Sequence, residues 1–297
     1  MTGRPELTTA TSFADLNRLL DELVSSVRAI LGANLVGAYL QGSFALGDAD
    51  AHSDVDFVIV AAGAVSDAQL RGLQAMHRRI HAQAVPWAQH LEGSYIPRRG
   101  LHRVDPARHP FPYLDNGADQ LVRDPHCNTA VVRWILREHG VVLLGPQPVT
   151  LVAPVSPDDL RREARGALLE YGAWAREPGA LGVMSQWKQT YLVVTFCRIL
   201  HTLATGTVGS KREAAAWALA NLPPAWHGAH RARGGGPRRS LGSGPPPGGP
   251  QARHQNPRVR GPRSRRDAQL HASASLEQTL GGSSRRELAV RLYRRPT

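Results

Sequence analysis

Cysteine, lysine and long apolar runs are what this 297-residue chain has least of. Its two cysteines, Cys127 and Cys197, cannot build a disulfide framework or a zinc site made from cysteine pairs. No apolar stretch approaches the roughly 18 residues of a membrane span, and the opening residues lack the basic-then-apolar profile of a secretory signal. Aromatic residues make up 6% and are not interleaved with basic ones, which argues against a base-stacking nucleic-acid groove. No internal repeat is visible. These absences point to a reduced, soluble, cytoplasmic protein whose length suits about two domains.

Positive charge is abundant but segregated. Residues 1–226 hold 21 Lys and Arg against 21 Asp and Glu, so the formal net charge of +12 lies wholly in residues 227–297. Those 71 residues contain 15 Arg and 34 Gly, Pro or Arg in all, with nine large apolar side chains. Such a composition cannot bury enough apolar surface to offset chain entropy, so a disordered tail is expected. Three origins fit it: a nucleic-acid-binding tail, a bland extension, or an out-of-frame translation. The body's 19 Arg against two Lys implies GC-rich coding DNA, whose wrong frames yield Arg, Gly, Pro, Ala and Ser. That favours the third. A non-catalytic nucleic-acid-binding protein acting through this tail is the reading from a different functional class. The neutral body speaks against it.

Periodicity organises the first 226 residues. Ser12-Phe-Ala-Asp15 has the form of a capping box, followed by Phe13, Leu16, Leu19, Leu20, Leu23 and Val24 at helical spacing up to Gly32. Residues 35–40 (LVGAYL) and 55–62 (VDFVIVAA) read as buried strands. Ser66 opens a second helix with Leu70, Leu73, Met76 and Ile80 on one face. A strand is expected over 90–96, broken by Pro97, then a helix from Cys127 to His139 and a short strand over 141–144. Helical patterns at 158–176, 185–205 and 211–221 complete an α/β half followed by an all-helical half.

The chemistry concentrates between the first two strands, in Gln41-Gly42-Ser43-Phe44-Ala45-Leu46-Gly47 and then Asp54-Val55-Asp56. Gly42-Ser43 stands where a strand hands over to a short helix, so its N–H groups and hydroxyl suit a phosphate. Asp54 and Asp56 are two apart on a strand and share a face. Paired carboxylates opposite a phosphate turn suit Mg²⁺-assisted phosphoryl or nucleotidyl transfer. His77 and His81 share a helical face, but no acidic partner accompanies them.

The Gly-Ser turn followed by Asp-x-Asp at a strand start resembles the DNA polymerase β-like nucleotidyltransferase superfamily. Segments 39–60, 90–97 (HLEGSYIP), 135–146 (ILREHGVVLLGP) and 197–223 resemble its aminoglycoside 3″-adenylyltransferase family, the streptomycin/spectinomycin adenylyltransferases. The resemblance spans roughly residues 12–226. It implies a nucleotidyltransferase domain with a mixed sheet and flanking helices over 1–150, a helical domain over 151–226, and Mg²⁺-dependent transfer of AMP from ATP to an antibiotic hydroxyl with release of pyrophosphate. By the same resemblance Asp54 and Asp56 match the ligands of two Mg²⁺ ions and Glu92 the carboxylate that takes the hydroxyl proton. Gly42 and Ser43 match the phosphate turn, and Arg198 and Lys211 the basic residues on the triphosphate. The acceptor site of the family uses acidic residues and a Trp. Here Lys188 replaces an acid, and Glu170, Trp174 and Glu177 are the nearby substitutes. The acceptor implied is small, hydroxylated and cationic, with a protein or metabolite hydroxyl as the alternative.

Trimming the chain at Trp226 is expected to leave nucleotidyl transfer unchanged, while limited proteolysis cleaves rapidly among the 15 Arg of 227–297. A protected tail, or a 1–226 fragment without activity, would show instead that the tail completes the helical half.

Overall fold

A computed structural model of the chain describes residues 10–175 and 186–223. In chain order the elements are α1 (Ala14–Leu31), β1 (Leu35–Leu40), α2 (Gly42–Ala45), β2 (Val55–Ala61), α3 (Asp67–His81), β3 (Leu91–Pro97) and α4 (Arg98–His102). They continue with β4 (Phe111–Leu114), β5 (Leu121–Asp124), α5 (Ala130–His139), β6 (Val141–Leu144), α6 (Pro157–Ala175), α7 (Gln186–Thr205) and α8 (Lys211–Asn221). The six strands form one mixed sheet in the order β5-β4-β3-β2-β1-β6, in which β2 and β3 run parallel and the other pairs antiparallel. Helices cover both faces, as the α/β expectation required. Three helices follow the sheet.

Period-two alternation along β2 divides the core. Phe57 and Ile59 join Leu40, Leu91 and Tyr95 beneath the apolar stripes of α1 and α3. Val58 and Val60 point the other way, with Tyr39 and Ile96, against Leu101, Val132, Leu136 and Leu151. Both faces of β2 are buried, which explains its unbroken apolar run. Each fully buried Leu, Ile or Phe contributes about 1.5–3 kcal/mol to this packing. Arg133 of α5 is also fully buried and donates to the Gly100 and Leu101 carbonyls of α4, to Thr129 O and to Asn128 Oδ1.

The helical half is tied to the sheet by two kinds of contact. Ala130 and Ile135 of α5 pack with Leu160 of α6 and with Val208, just before α8. Glu163 of α6 accepts from the backbone N–H groups of Ala130 and Val131, capping α5 from outside its own segment. Cys197, Ala214 and Ala218 then join α7 to α8.

Several boundaries differ from the sequence reading. The Ser12–Asp15 capping box does not form: Phe13 occupies the N-cap, without a side-chain cap. Its ring is drawn against Trp87 at 5.1 Å and Phe44 at 6.3 Å, and Thr11 exchanges hydrogen bonds with Asn17 instead. α5 starts at Ala130 rather than Cys127, because Pro125 to Asn128 form a turn and Thr129 caps the helix through Val132 N at 3.1 Å. β4 and β5 escaped the periodicity reading because each has four residues and β4 contains Pro112. β4 pairs with β3 only at Gly93↔Leu114 and Ser94↔Tyr113, so the proline lies beyond that ladder. Among the described residues no helix is long and apolar enough to cross a membrane. Residues 227–297, like Glu177, Trp226 and the Lys188 side chain, lie outside the described residues.

His77 is buried in α3, its Nε2 2.7 Å from the Tyr95 hydroxyl, and burial depresses its pKa to about 3 from an ordinary 6.5. Between those values the unfolded chain binds a proton that the folded one refuses, so the native state loses about 1.4 kcal/mol per pH unit as pH falls below 6.5. The pair His77→Phe with Tyr95→Phe removes both polar partners together. Urea midpoints at pH 7 and pH 4.5 (about two units below the ordinary value) are expected to differ less in this variant than in wild type. An unchanged difference would exclude His77 as an acid-labile group.

Candidate active site

Parallel pairing of β2 with β3 sets the site. The register matches Asp56 to Glu92, so the two carboxylates stand side by side on one face. Asp54, two residues before Asp56, takes the same face. It is the face of Val58, Val60 and Ile96, which α4 and α5 cover farther along the strands and leave open at this end. Three acids therefore converge at one end of the two central strands. Burial pushes the Asp56 carboxyl up, reinforced by Glu92 and Asp54, while Arg198 and Lys211 pull it down. Asp54 is raised in the same way, first by burial and then by Glu92.

Gly42 closes the site from β1. Its φ of +61° is a left-handed conformation, and a Cβ there would overlap the Asp56 carboxylate. Glycine is thus required for both conformation and space. The Gln41 N–H donates to Asp56 O at 2.9 Å, fixing the turn against the strand that carries the acid. Ser43 follows in α2, whose next residue, Phe44, packs against Phe13 and Trp87. Ala45 and Leu46 pack on the opposite side, with the cluster of Ala130, Leu160 and Val208. The Gly42-Ser43 turn is consequently wedged between two apolar clusters.

The helical half brings the cations. Arg198 comes from α7, and Lys211 is the first residue of α8. Ser210 caps α8 in a full capping box: it accepts from Glu213 N at 3.1 Å, and its own N–H donates to Glu213 at 2.8 Å. A lysine in a first helical turn is disfavoured by the helix dipole unless an anion lies near. Asp48, beyond the Gly42 turn, receives the Arg212 backbone N–H at 3.1 Å and its guanidinium at 2.7 Å. This clamp fixes the start of α8 over the carboxylates.

All seven residues singled out from sequence, Gly42, Ser43, Asp54, Asp56, Glu92, Arg198 and Lys211, thus belong to or surround one end of the two central strands. Sequence reasoning missed Asn116, which donates to Asp54 Oδ1 at 2.7 Å, and Tyr113, whose hydroxyl donates to Glu92 Oε1 at 2.8 Å. It also missed His126, whose Nε2 lies 3.2 Å from the same Glu92 oxygen, and the Asp48–Arg212 clamp. No local spacing announces them, since their partners lie from 21 to 164 residues away. Among the described residues no group of three His, Cys, Asp or Glu side chains forms a metal cage. The protein instead offers two hard carboxylates, Asp54 and Asp56, whose pKa values are raised first by burial and then by neighbouring negative charge. That donor set fits Mg²⁺, which keeps water and phosphate oxygens as its remaining ligands.

Two family models match the chain: a nucleotidyltransferase domain over residues 20–96 and the C-terminal domain of aminoglycoside adenylyltransferases over 150–232. An aminoglycoside (3″)(9) adenylyltransferase of Shigella flexneri is 24% identical over 221 residues, covering 71% of this chain and 80% of the relative. A spectinomycin 9-adenylyltransferase of Staphylococcus aureus is 25% identical over 217 residues, covering 66% and 75%. The crystal structure of spectinomycin adenyltransferase AAD(9) from Enterococcus faecialis with ATP and spectinomycin superposes with a TM-score of 0.55. It shares 17% identity over 75% of this chain and 91% of that one. With its sheet, its helical half and both domain models in the expected order, the chain belongs to the aminoglycoside adenylyltransferase family of nucleotidyltransferases.

Proposed function

We propose that this protein transfers AMP from ATP to a hydroxyl of an aminoglycoside or aminocyclitol of the spectinomycin or streptomycin type, releasing pyrophosphate. The observation that carries this reading is the Asp56↔Glu92 register, with Asp54 on the same face and Gly42 against Asp56. The named relatives support the choice of nucleotide and acceptor. In this reading residues 1–150 form the nucleotidyltransferase domain, 151–226 the helical domain, and the site of action is the cytoplasm, where ATP is plentiful. The 15 Arg of 227–297 add a salt-dependent attraction for nucleic-acid phosphates that the reaction does not use.

Each group then has a task. The Gly42-Ser43 turn presents backbone N–H groups and a hydroxyl to the phosphates. Asp54 and Asp56 would hold two Mg²⁺ ions beside the triphosphate. Bound there, magnesium neutralises the phosphate oxygens and lowers the cost of charge developing on the leaving group. Glu92 accepts the proton of the acceptor hydroxyl as that oxygen bonds to the α-phosphorus. The bond from the α-phosphorus to the bridging oxygen breaks, and pyrophosphate leaves with the electron pair. Arg198 and Lys211 balance that charge from the helical half. The acidic and aromatic side chains of α6, Glu170 and Trp174, provide a cation-attracting wall for the acceptor.

Incubation with ATP, Mg²⁺ and a panel of aminoglycosides, read by mass spectrometry, is expected to give an AMP adduct of spectinomycin or streptomycin. Asp54→Asn should abolish metal-dependent ATP binding and transfer together. Glu92→Gln should keep ATP binding but slow transfer about 10²- to 10⁴-fold. Near wild-type pyrophosphate release by Asp54→Asn would defeat the assignment, and adducts on a protein alone would move the acceptor to another class.

A further inference from the structure

We propose that Tyr113 and His126 are positioning residues that hold Glu92 by its Oε1 and leave its Oε2 for the acceptor's proton. This rests on the reading of Glu92 as the proton acceptor given above. Both contacts fall on one oxygen: the Tyr113 hydroxyl donates at 2.8 Å, and His126 Nε2 lies at 3.2 Å. An ionised carboxylate only accepts, so Nε2 carries a proton and donates. The two donors brace each other, because the phenol and imidazole rings stack at 4.9 Å between centroids and 19° between planes.

Their backbones come from different strands, which makes the brace rigid. Tyr113 is almost fully buried in β4 and pairs with Ser94 of β3, two residues beyond Glu92. His126 follows β5, where its N–H donates to Asp124 Oδ1 at 2.7 Å. β4 and the turn after β5 therefore bring two donors to Glu92, the Tyr113 hydroxyl lying nearer Glu92 Oε1, at 2.8 Å, than Asp115 Oδ1, at 3.1 Å. Glu92 keeps only 16% of its side chain exposed while His126 keeps 57%, so the imidazole connects a half-buried base to solvent.

The brace is charge-sensitive. The groups facing the imidazole are Glu92 from β3, Asp124 from β5, Asp115 after β4 and the Tyr113 hydroxyl. The Glu92 hydrogen bond raises the His126 pKa, burial opposes it, and the charges of Glu92, Asp124 and Asp115 add to the rise. A cationic His126 stabilises the Glu92 carboxylate and weakens it as a base. Turnover should accordingly climb as His126 loses its proton.

The test combines turnover with a titration that needs no acceptor. His126→Phe keeps a ring against Tyr113 but removes both nitrogens, and His126→Gln restores a donor. His126→Phe is expected to lower kcat about ten- to hundredfold, as a small misplacement of a reacting group does. Its KM values for ATP and spectinomycin should stay within about twofold. The rise of kcat across about pH 6–8 should vanish in both variants, with kcat largely recovered in His126→Gln. On the nucleotide-free protein, the imidazole NMR titration of His126 should have its midpoint above 6.5 and fall toward it in Glu92→Gln. Identical midpoints overturn the brace whatever the acceptor proves to be. So does a His126→Phe enzyme with unchanged kcat, or one altered in KM alone, when Glu92→Gln is inactive. A fully active Glu92→Gln enzyme instead removes the underlying reading of Glu92, and the brace with it.

Discussion

Three carboxylates share one end of a parallel strand pair, and the repulsion among them governs what surrounds them. The β2–β3 register brings Asp56 and Glu92 together, and the period of two adds Asp54. Burial first, and then repulsion from neighbouring carboxylates, disfavour the ionised forms of Asp54 and Asp56. Each neighbouring element supplies compensation. β4 contributes Tyr113 and the turn after it Asn116 as donors, and the turn after β5 contributes His126. The helices after the sheet contribute Arg198 and Lys211. Arg198 and Lys211 are the charges that pull Asp56 down, which gives the helical half an electrostatic role beyond packing.

That balance depends on a turn with little freedom. Gly42 lies so close to Asp56 that any side chain there would displace the carboxylate. Phe44 holds the following residues in an aromatic group with Phe13 and Trp87, and Asp48 reaches across to the start of α8. The Gly42-Ser43 turn, the acid cluster and the start of α8 are thereby linked through one run of the chain, residues 41–56. The Ser12 capping box gives way to the same cluster: Phe13, partly buried against Trp87, takes the N-cap.

What could be read from sequence was what is encoded locally. Asp54 and Asp56 announce themselves by alternation at the mouth of an apolar strand, and the helix starts at Ser66 and Ser210 by residues three apart that bond reciprocally. Glu92 required the resemblance to be given a role, because one acid on a strand has no signature of its own. Tyr113, His126, Asn116 and Asp48 were invisible for a physical reason. Their functions lie in contacts across the fold, and β4 and β5, which deliver three of them to Glu92 and Asp54, are too short and too interrupted by proline for periodicity to register.

The Glu163 carboxylate that caps the start of α5 has a consequence for how such enzymes can be recombined. In the chain it lies beyond the sheet, yet in hydrogen bonding it belongs to the first half, because two backbone donors of α5 have it as their acceptor. A chimera cut between β6 and α6 would import a foreign residue into that cap and a foreign partner for Asp48 at the other end of the seam. Exchange of the helical half between relatives therefore has to preserve two small polar junctions as well as the apolar cluster of Ala130, Ile135, Leu160 and Val208. A graft that carries an acid on its first helix and an arginine at the start of its last one keeps both junctions intact.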